Sequence, residues 1–237
     1  SDLRLTSFYA APVCTPSRAQ LLTGCYAKRV SLPNVLFPSC PTGINAAEHT
    51  VAELLKEQGY ATMAIGKWHL GMDWMLKPGK QVTRLSIEPR DQVFNVEYDK
   101  PIANGPTSVG FDSYFGISAS LDMPPYAFIE NDRFTEAPTV EKDLYMKRRG
   151  PAAPGFEAVD VLPAFTKKAT EWIGSHKNGP FFLYLALNSP HTPLNPTPEW
   201  RGRSGIGTYG DFVMETDWAV GQVVQAVDRA GVGNNTL

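Results

Sequence analysis

The chain has 237 residues, 22 Lys+Arg against 24 Asp+Glu, and 43% hydrophobic residues with 11% aromatics, which is enough apolar material for one large globular core and too much for disorder. A net charge of −2 without a basic run excludes nucleic acid as the main partner, and the longest apolar run, Phe181–Leu187, is strand length and excludes a membrane span. Three cysteines, Cys14, Cys25 and Cys40, are too few for a disulfide framework; at least one thiol is unpaired, and the pairing of Cys25 with Cys40 stays open.

No signal-peptide pattern stands at Ser1, which leaves a removed leader or a cytosolic chain as alternatives. Twenty prolines and twenty glycines point to long irregular connections, as in an enzyme that builds its site from loops. Leu5–Ala11 reads as a short strand leading into Cys14-Thr15-Pro16-Ser17-Arg18. Thr15 reads as an N-cap, Pro16 as the first helical position and Gly24 as the stop, so Cys14 sits just outside a helix N-terminus. Backbone N–H groups and the helix dipole favour anions there and depress a thiol pKa. Arg18 follows about one turn on and can direct its planar fork back toward Cys14. Alone, Cys14 reads better as a small buried hydrophobe capping a helix, with Arg18 on the surface. With Arg18 it reads as a nucleophile for a charged oxyanion ester.

Residues 30–46 are Pro-rich and turn-like. Thr50 and Glu53 form a capping box for a helix to Gln58, with Val51, Leu54 and Leu55 as its apolar face and Gly59 as its stop. Tyr60–Ile65 is a buried strand that opens into Gly66-Lys67-Trp68-His69-Leu70-Gly71. Ligands of open α/β sheets sit beyond the carboxyl ends of strands, so this loop is placed for chemistry. Lys67 and His69 project to one side if the segment stays extended, where an ammonium and an imidazole can hold an anion and protonate a leaving oxygen.

Residues 72–110 and 121–156 are rich in breakers and read as long loops near the site; the second carries Lys147-Arg148-Arg149, which meets an anionic polymer or is a solvated charge run. Asp160–Ser175 is an amphipathic helix with Leu162, Phe165, Ala169, Trp172 and Ile173 on one face, and His176 at its end has a surface role. Phe181–Leu187 reads as a central parallel strand, and Asn188-Ser189-Pro190-His191-Thr192-Pro193 is the rigid loop at its carboxyl end. His49 has no partner in the pattern and is structural. Gly205–Gly210 has dinucleotide-fingerprint spacing but follows a polar loop, so that reading is rejected. Thr208–Arg229 is a long helix with Phe212, Val213, Val220, Val223, Val224 and Val227 inward, and Asn234-Asn235-Thr236 fits a glycosylation acceptor.

Three of these stretches together resemble the signatures of the type I, formylglycine-dependent sulfatases: Cys-Thr-Pro-Ser-Arg with Ala-x-Leu-Leu-Thr-Gly after it, Gly-Lys-Trp-His-Leu-Gly, and the loop around His191. Their order is closest to the arylsulfatase A and N-acetylgalactosamine-6-sulfatase branch. The resemblance implies an α/β, alkaline-phosphatase-like sandwich with a central, mostly parallel sheet flanked by helices. It implies a sulfuric ester hydrolase in which Cys14, oxidised to Cα-formylglycine by a formylglycine-generating or sulfatase-maturing enzyme, is the hydrated nucleophile. Arg18, Lys67, His69 and His191 are then catalytic, and Lys67, His191 and Ser120 bind the sulfate of an aryl or glycan ester. An extracytoplasmic location follows from the same likeness.

The resemblance also implies one calcium ion, held by an Asp-Asp pair, an Asp-Asn pair and residue 14. Only Cys14 of that set matches here, so the chain reads as an internal piece of a sulfatase catalytic domain that binds metal poorly alone. The alternatives are a phosphonate monoester or phosphodiester hydrolase with the same nucleophile, a thiol hydrolase using Cys14 with a His, and an inactive sulfated-glycan-binding remnant.

Overall fold

The sheet grows outward from β1 (Ala61–Lys67), a run of small and apolar residues buried along almost its whole length. The computed structural model describes residues 6–7, 9–41, 43–82 and 90–237. On one side β1 pairs in parallel with β2 (Ser113–Ile117), and on the other in parallel with β7 (Phe181–Ala186). Two short antiparallel strands, β3 (Ile129–Glu130) and β4 (Arg133–Phe134), extend the sheet beyond β2, giving the order β4-β3-β2-β1-β7. A separate ribbon pairs β5 (Val140–Lys142) with β6 (Gly150–Ala152). The expected mixed, mostly parallel sheet with flanking helices is therefore present.

Period-two alternation splits the strands between two cores. Ala64, Tyr114, Phe182 and Tyr184 face a cluster that holds Ala19 and Leu22 of α1 (Cys14–Thr23) and Ala52 of α2 (Val51–Glu57). Met63, Ile65, Phe115, Ile117, Leu183 and Leu185 face Val161, Phe165 and Ala169 of α3 (Val161–His176). Burying such side chains stabilises each face by roughly 25 cal/mol per Å² of apolar area removed from water. The fourth helix, α4 (Thr208–Arg229), packs on α3.

Several expectations need correction. Leu5–Ala11 is not a strand in its described residues, Leu5 and Phe8 lying outside them. The α2 capping box is present: Thr50 Oγ1 accepts from Glu53 N–H at 3.2 Å and Glu53 accepts from Thr50 N–H at 2.8 Å. The residue that α2 buries is Ala52, however, while Leu54 is exposed. Small Ala52 lets the helix lie close to the sheet. Among the described residues β7 is an edge strand with half-buried side chains, and β1 is the central one. α4 turns Phe212, Ala219 and Ala226 inward, and Val213, Val220 and Val224 face out, because the small residues allow close approach to α3. The rejected glycine fingerprint serves α4's start: Asp211 accepts from Gly202 N–H at 2.8 Å and Ser204 N–H at 2.9 Å.

Gly66, one residue before the end of β1, has φ +116° and lies against β7 so closely that a Cβ would stand 2.1 Å from the Ala186 carbonyl oxygen. Gly79 also has a positive φ of +73° but faces open space. Gly66→Ala is expected to cost about 3 kcal/mol or more, from backbone strain together with overpacking against main chain. Gly79→Ala carries only the strain, about 1 kcal/mol. Urea denaturation of the two variants measures the difference; equal losses would mean that the β1–β7 approach is not tight.

Candidate active site

Helix α1 begins at Cys14 itself, two positions earlier than an N-cap at Thr15 requires. Val13 is the cap residue, in extended conformation and without a side-chain bond. Thr15 is used differently: its buried hydroxyl donates to the His69 carbonyl at 2.9 Å and accepts from Leu36 N–H at 3.2 Å. That one hydroxyl ties α1 to the loops at 36 and 69. The other end is as expected, with Gly24 at φ +67° and its N–H on the Gln20 carbonyl at 2.9 Å.

Lys67, the last residue of β1, is 2% exposed. Its ammonium donates to Cys14 Sγ at 3.2 Å and to Ser120 Oγ at 2.5 Å. Among the described residues no carboxylate pairs with it. Burial pushes its pKa down, and the charge of Arg18 adds to that. Ser120, which the resemblance puts against the sulfate, is buried on the turn after β2. Arg18 does not offer its fork to Cys14: Nη1 donates to the Lys67 carbonyl at 2.6 Å, the guanidinium reaches the Tyr184 hydroxyl, and Nε is buried without a partner.

The two site histidines are set in opposite states by their hydrogen bonds. His69 does not continue an extended segment; it takes φ +58° and is buried. Its Nε2 lies 2.8 Å from the Leu36 carbonyl, which can only accept, so Nε2 carries the proton. Burial pushes this imidazole toward neutrality, and its ring is close enough to Cys14 for each to affect the other's proton affinity. Nδ1, buried and unpartnered, is thus a lone pair. His191 instead donates from Nδ1 to the Thr192 carbonyl at 2.6 Å, and contact with Cys14 raises its pKa. His191 thus holds its second proton to higher pH than an ordinary imidazole, while His69 offers a lone pair. Cys14 in turn is held down to about 4, by hydrogen bonding from His191 first, with the Lys67 charge adding to it against the cost of burial.

These groups meet at an open cleft of about 670 Å³ whose wall includes Cys14, Arg18, His69, Ser120, Tyr184 and His191, with Lys67 behind Cys14 and Ser120. Thus every residue singled out from the sequence as a site candidate converges here. His49 and His176 do not line it; His176 stacks on Trp172 with ring centroids 4.2 Å apart. Two further wall residues, Asp122 and Arg148, were not foreseen as site residues. The Lys147-Arg148-Arg149 run is split: Arg148 turns inward to Asp122, Arg149 pairs with Glu141 at 2.6 Å, and Lys147 is exposed. The available signal for Asp122 was its spacing two residues after Ser120. None of the described residues of 72–110 lines this cleft. Cys40 packs with Phe37, Val93 and Met123, away from the cleft wall. No group of three or more His, Cys, Asp or Glu fit for a metal occurs among the described residues.

A family profile described as Sulfatase matches residues 1–237. An N-acetylgalactosamine-6-O-sulfatase of Bacteroides thetaiotaomicron is 30% identical over 274 residues, covering 99% of this chain and 50% of that protein. Arylsulfatase A of Bos taurus is 35% identical over 248 residues, covering 99% of this chain and 43% of that protein. A solved structure from work on glycosaminoglycan metabolism by Bacteroides thetaiotaomicron superposes with TM-score 0.77 at 29% identity, over 94% of this chain and 51% of that one. The chain therefore spans about half the length of the relatives it matches.

An unmodified Cys14 with a pKa lowered to about 4 is a thiolate above that pH. Its alkylation by iodoacetamide is expected to be flat from about pH 5.5 to 8 and to fall as pH drops through 4, whereas an ordinary thiol reacts faster up to about pH 8.5. His191→Ala should return the profile toward the ordinary one. A parent profile that climbs with pH to 8.5 would contradict the arrangement of charges around Cys14.

Proposed function

The chain belongs to the sulfatase family, and from that premise we propose that it carries the nucleophile and the anion cradle of a sulfuric ester hydrolase acting on a sulfate monoester. The observation that carries this reading is the Lys67 ammonium: buried, unpaired by any carboxylate among the described residues, and bonded to Cys14 and Ser120 at the cleft. A buried cation with no carboxylate partner among the described residues favours an anion beside it, whether a thiolate at position 14 or an anionic occupant of the cleft.

We assign residue 14 as the nucleophile after conversion to Cα-formylglycine by a maturing enzyme. When present, that group supplies a hydrated aldehyde, able to attack sulfur and afterwards to expel sulfate by returning to the carbonyl. The Sγ atom of the unmodified residue stands in for its oxygens, next to Lys67 Nζ. Lys67, with Ser120, neutralises charge that develops on the sulfate oxygens, and Arg18 holds the Lys67 carbonyl so that the ammonium stays aimed. His191, on the cleft wall with its Nδ1 proton held by the Thr192 carbonyl, gives a proton in its imidazolium form to the ester oxygen as the bond to sulfur breaks. His69, with its Nδ1 lone pair beside residue 14, takes a proton from it when sulfate leaves.

The family's calcium does not fit the residues present. A hard cation takes six to eight oxygen ligands. Here the one carboxylate on the cleft wall, Asp122, is already engaged by Arg148, and no ligand cluster exists among the described residues. No step above passes through a metal. Residues 121–156, which supply Asp122 and Arg148, are proposed as a loop that reads the substrate. No helix among the described residues is long and apolar enough to cross a membrane; an extracytoplasmic location is proposed from the family.

The test uses protein expressed from the complete gene. Peptide mass spectrometry is expected to find a fixed mass loss at position 14, with sulfate released from 4-nitrophenyl sulfate faster than the matching aryl phosphonate is cleaved. Cys14→Ala should abolish release. His191→Ala should lower kcat by roughly 10²- to 10⁴-fold on an alkyl sulfate and much less on the nitrophenyl ester, whose leaving group needs no proton. An intact thiol at position 14 in an active enzyme, inactivated by alkylation, would refute the assignment.

A further inference from the structure

A buried carboxylate and its neighbouring hydroxyl on α4 have no part in the chemistry above. Asp211, Phe212, Glu215, Thr216 and Ala219 are spaced as one helix face, and that face is turned inward. Glu215 is 1% exposed and accepts from the Thr197 N–H at 2.9 Å. Thr216 Oγ1 lies 2.7 Å from both the Phe212 carbonyl and the Ser189 hydroxyl. A carbonyl only accepts, so Thr216 gives its proton to Phe212 and takes one from Ser189. Phe212 and Ala219, with Leu162 of α3, receive Leu187 and Leu194.

These contacts all reach the segment between β7 and α4, residues 187–207, which has no helix or strand of its own. His191 lies within it, exposed on the cleft wall. Apart from its contact with Cys14, its hydrogen bonds among the described residues stay inside the segment. Nδ1 bonds the Thr192 carbonyl, and the main-chain N–H donates to the Asn188 carbonyl at 3.3 Å. Such local bonds shape the loop without fixing where it lies over the cleft. The face of α4 does that, holding Leu187 and Ser189 before the ring and Leu194 and Thr197 after it. Burying a carboxylate costs several kcal/mol unless it is well bonded, and burial pushes the Glu215 carboxyl pKa up. An apolar side chain would fill the same place without that cost. What Glu215 adds is a fixed acceptor for the loop.

We propose that Glu215 and Thr216 are positioning residues for His191: gripping the loop at Thr197 and Ser189, on either side of the ring, they hold the imidazole at the leaving oxygen. This rests on the assignment of His191 as the acid in the sulfatase reading of the cleft. Neither residue lines the cleft itself. An acid displaced by an ångström loses up to about a hundredfold in rate, and the loss falls on esters whose leaving group needs a proton.

The experiment compares kcat/KM for phenyl sulfate and 4-nitrophenyl sulfate in the protein from the complete gene, with conversion of residue 14 verified by mass. Phenoxide is the poorer leaving group and depends more on the acid. Thr216→Val removes the hydroxyl and keeps the shape; the phenyl-to-nitrophenyl ratio is expected to fall roughly tenfold. Thr216→Ser, which restores the hydroxyl, should recover most of that loss. Glu215→Leu should lower the ratio similarly, whereas Glu215→Gln keeps an oxygen for the Thr197 N–H and should stay within about threefold of the parent. The threonine variants keep the test decisive if Glu215→Leu does not fold. In a His191→Ala background, Thr216→Val is expected to leave the ratio where His191→Ala puts it, since no ring remains to be placed. A ratio unchanged in Thr216→Val, or one that falls further in the double variant, would overturn the proposal and reduce these contacts to ordinary packing. A His191→Ala single variant with the parent's ratio would instead overturn the assignment of the acid, on which the proposal rests.

Discussion

A lysine sealed into protein with no carboxylate bonded to it among the described residues is an unusual thing to build, and the rest of this molecule follows from it. Taking an ammonium out of water costs several kcal/mol unless charge or strong acceptors compensate. At Lys67 the bonded acceptors are one sulfur and one hydroxyl, and a second cation, Arg18, is near enough to oppose its protonation further. The neighbourhood is electrostatically incomplete by itself. It is completed by an anion at position 14 or by an anionic ligand in front of it, which is why the same residues make a thiolate of the unmodified Cys14.

Holding that geometry is the task of the sheet. Lys67 ends β1, Ser120 follows β2 and His191 follows β7, so three neighbouring parallel strands each deliver one group from the carboxyl edge. α1 arrives from the side, locked by the Thr15 hydroxyl onto the loop that carries His69. None of these groups depends on a long free side chain searching for its place. Backbone ladders on one side and a buried threonine on the other set the distances, as a preorganised site requires. The two histidines gain distinct states in the same manner, because one main-chain carbonyl fixes the proton on His69 Nε2 and another fixes the one on His191 Nδ1.

Much of this could be read from residues in a row. The capping box at Thr50, the Gly24 stop, the apolar runs of β1 and β7 and the face of α3 are local patterns, and they are where the sequence places them. What local pattern could not supply were choices made by packing. Thr15-Pro16 looks like a helix start, but burial gives the hydroxyl two tertiary partners and the helix begins earlier. The valines of α4 look like a core stripe, but alanines allow the closer approach. The edge position of β7 depends on pairing, which a continuous apolar run does not specify. In the site, the three motif stretches identified Cys14, Lys67, His69 and His191, whereas Asp122 and Arg148 come together only through tertiary folding of irregular segments.

The register between β1 and β7, in which Ala61 lies opposite Phe181, sets an order on assembly. Parallel pairing across so long an intervening chain is a slow search compared with the formation of helices, because contacts distant in sequence gain nothing until the loop between them has closed. The helices α1 and α2, ten and seven residues long, are too short to persist alone and draw their stability from the core that β7 helps to fill. Phe182 and Tyr184 of β7 pack into one core and Leu183 and Leu185 into the other, so the pairing that buries them also brings the loop of His191 to the cleft wall. One strand register thus fixes both the packing of two cores and the last wall of the cleft.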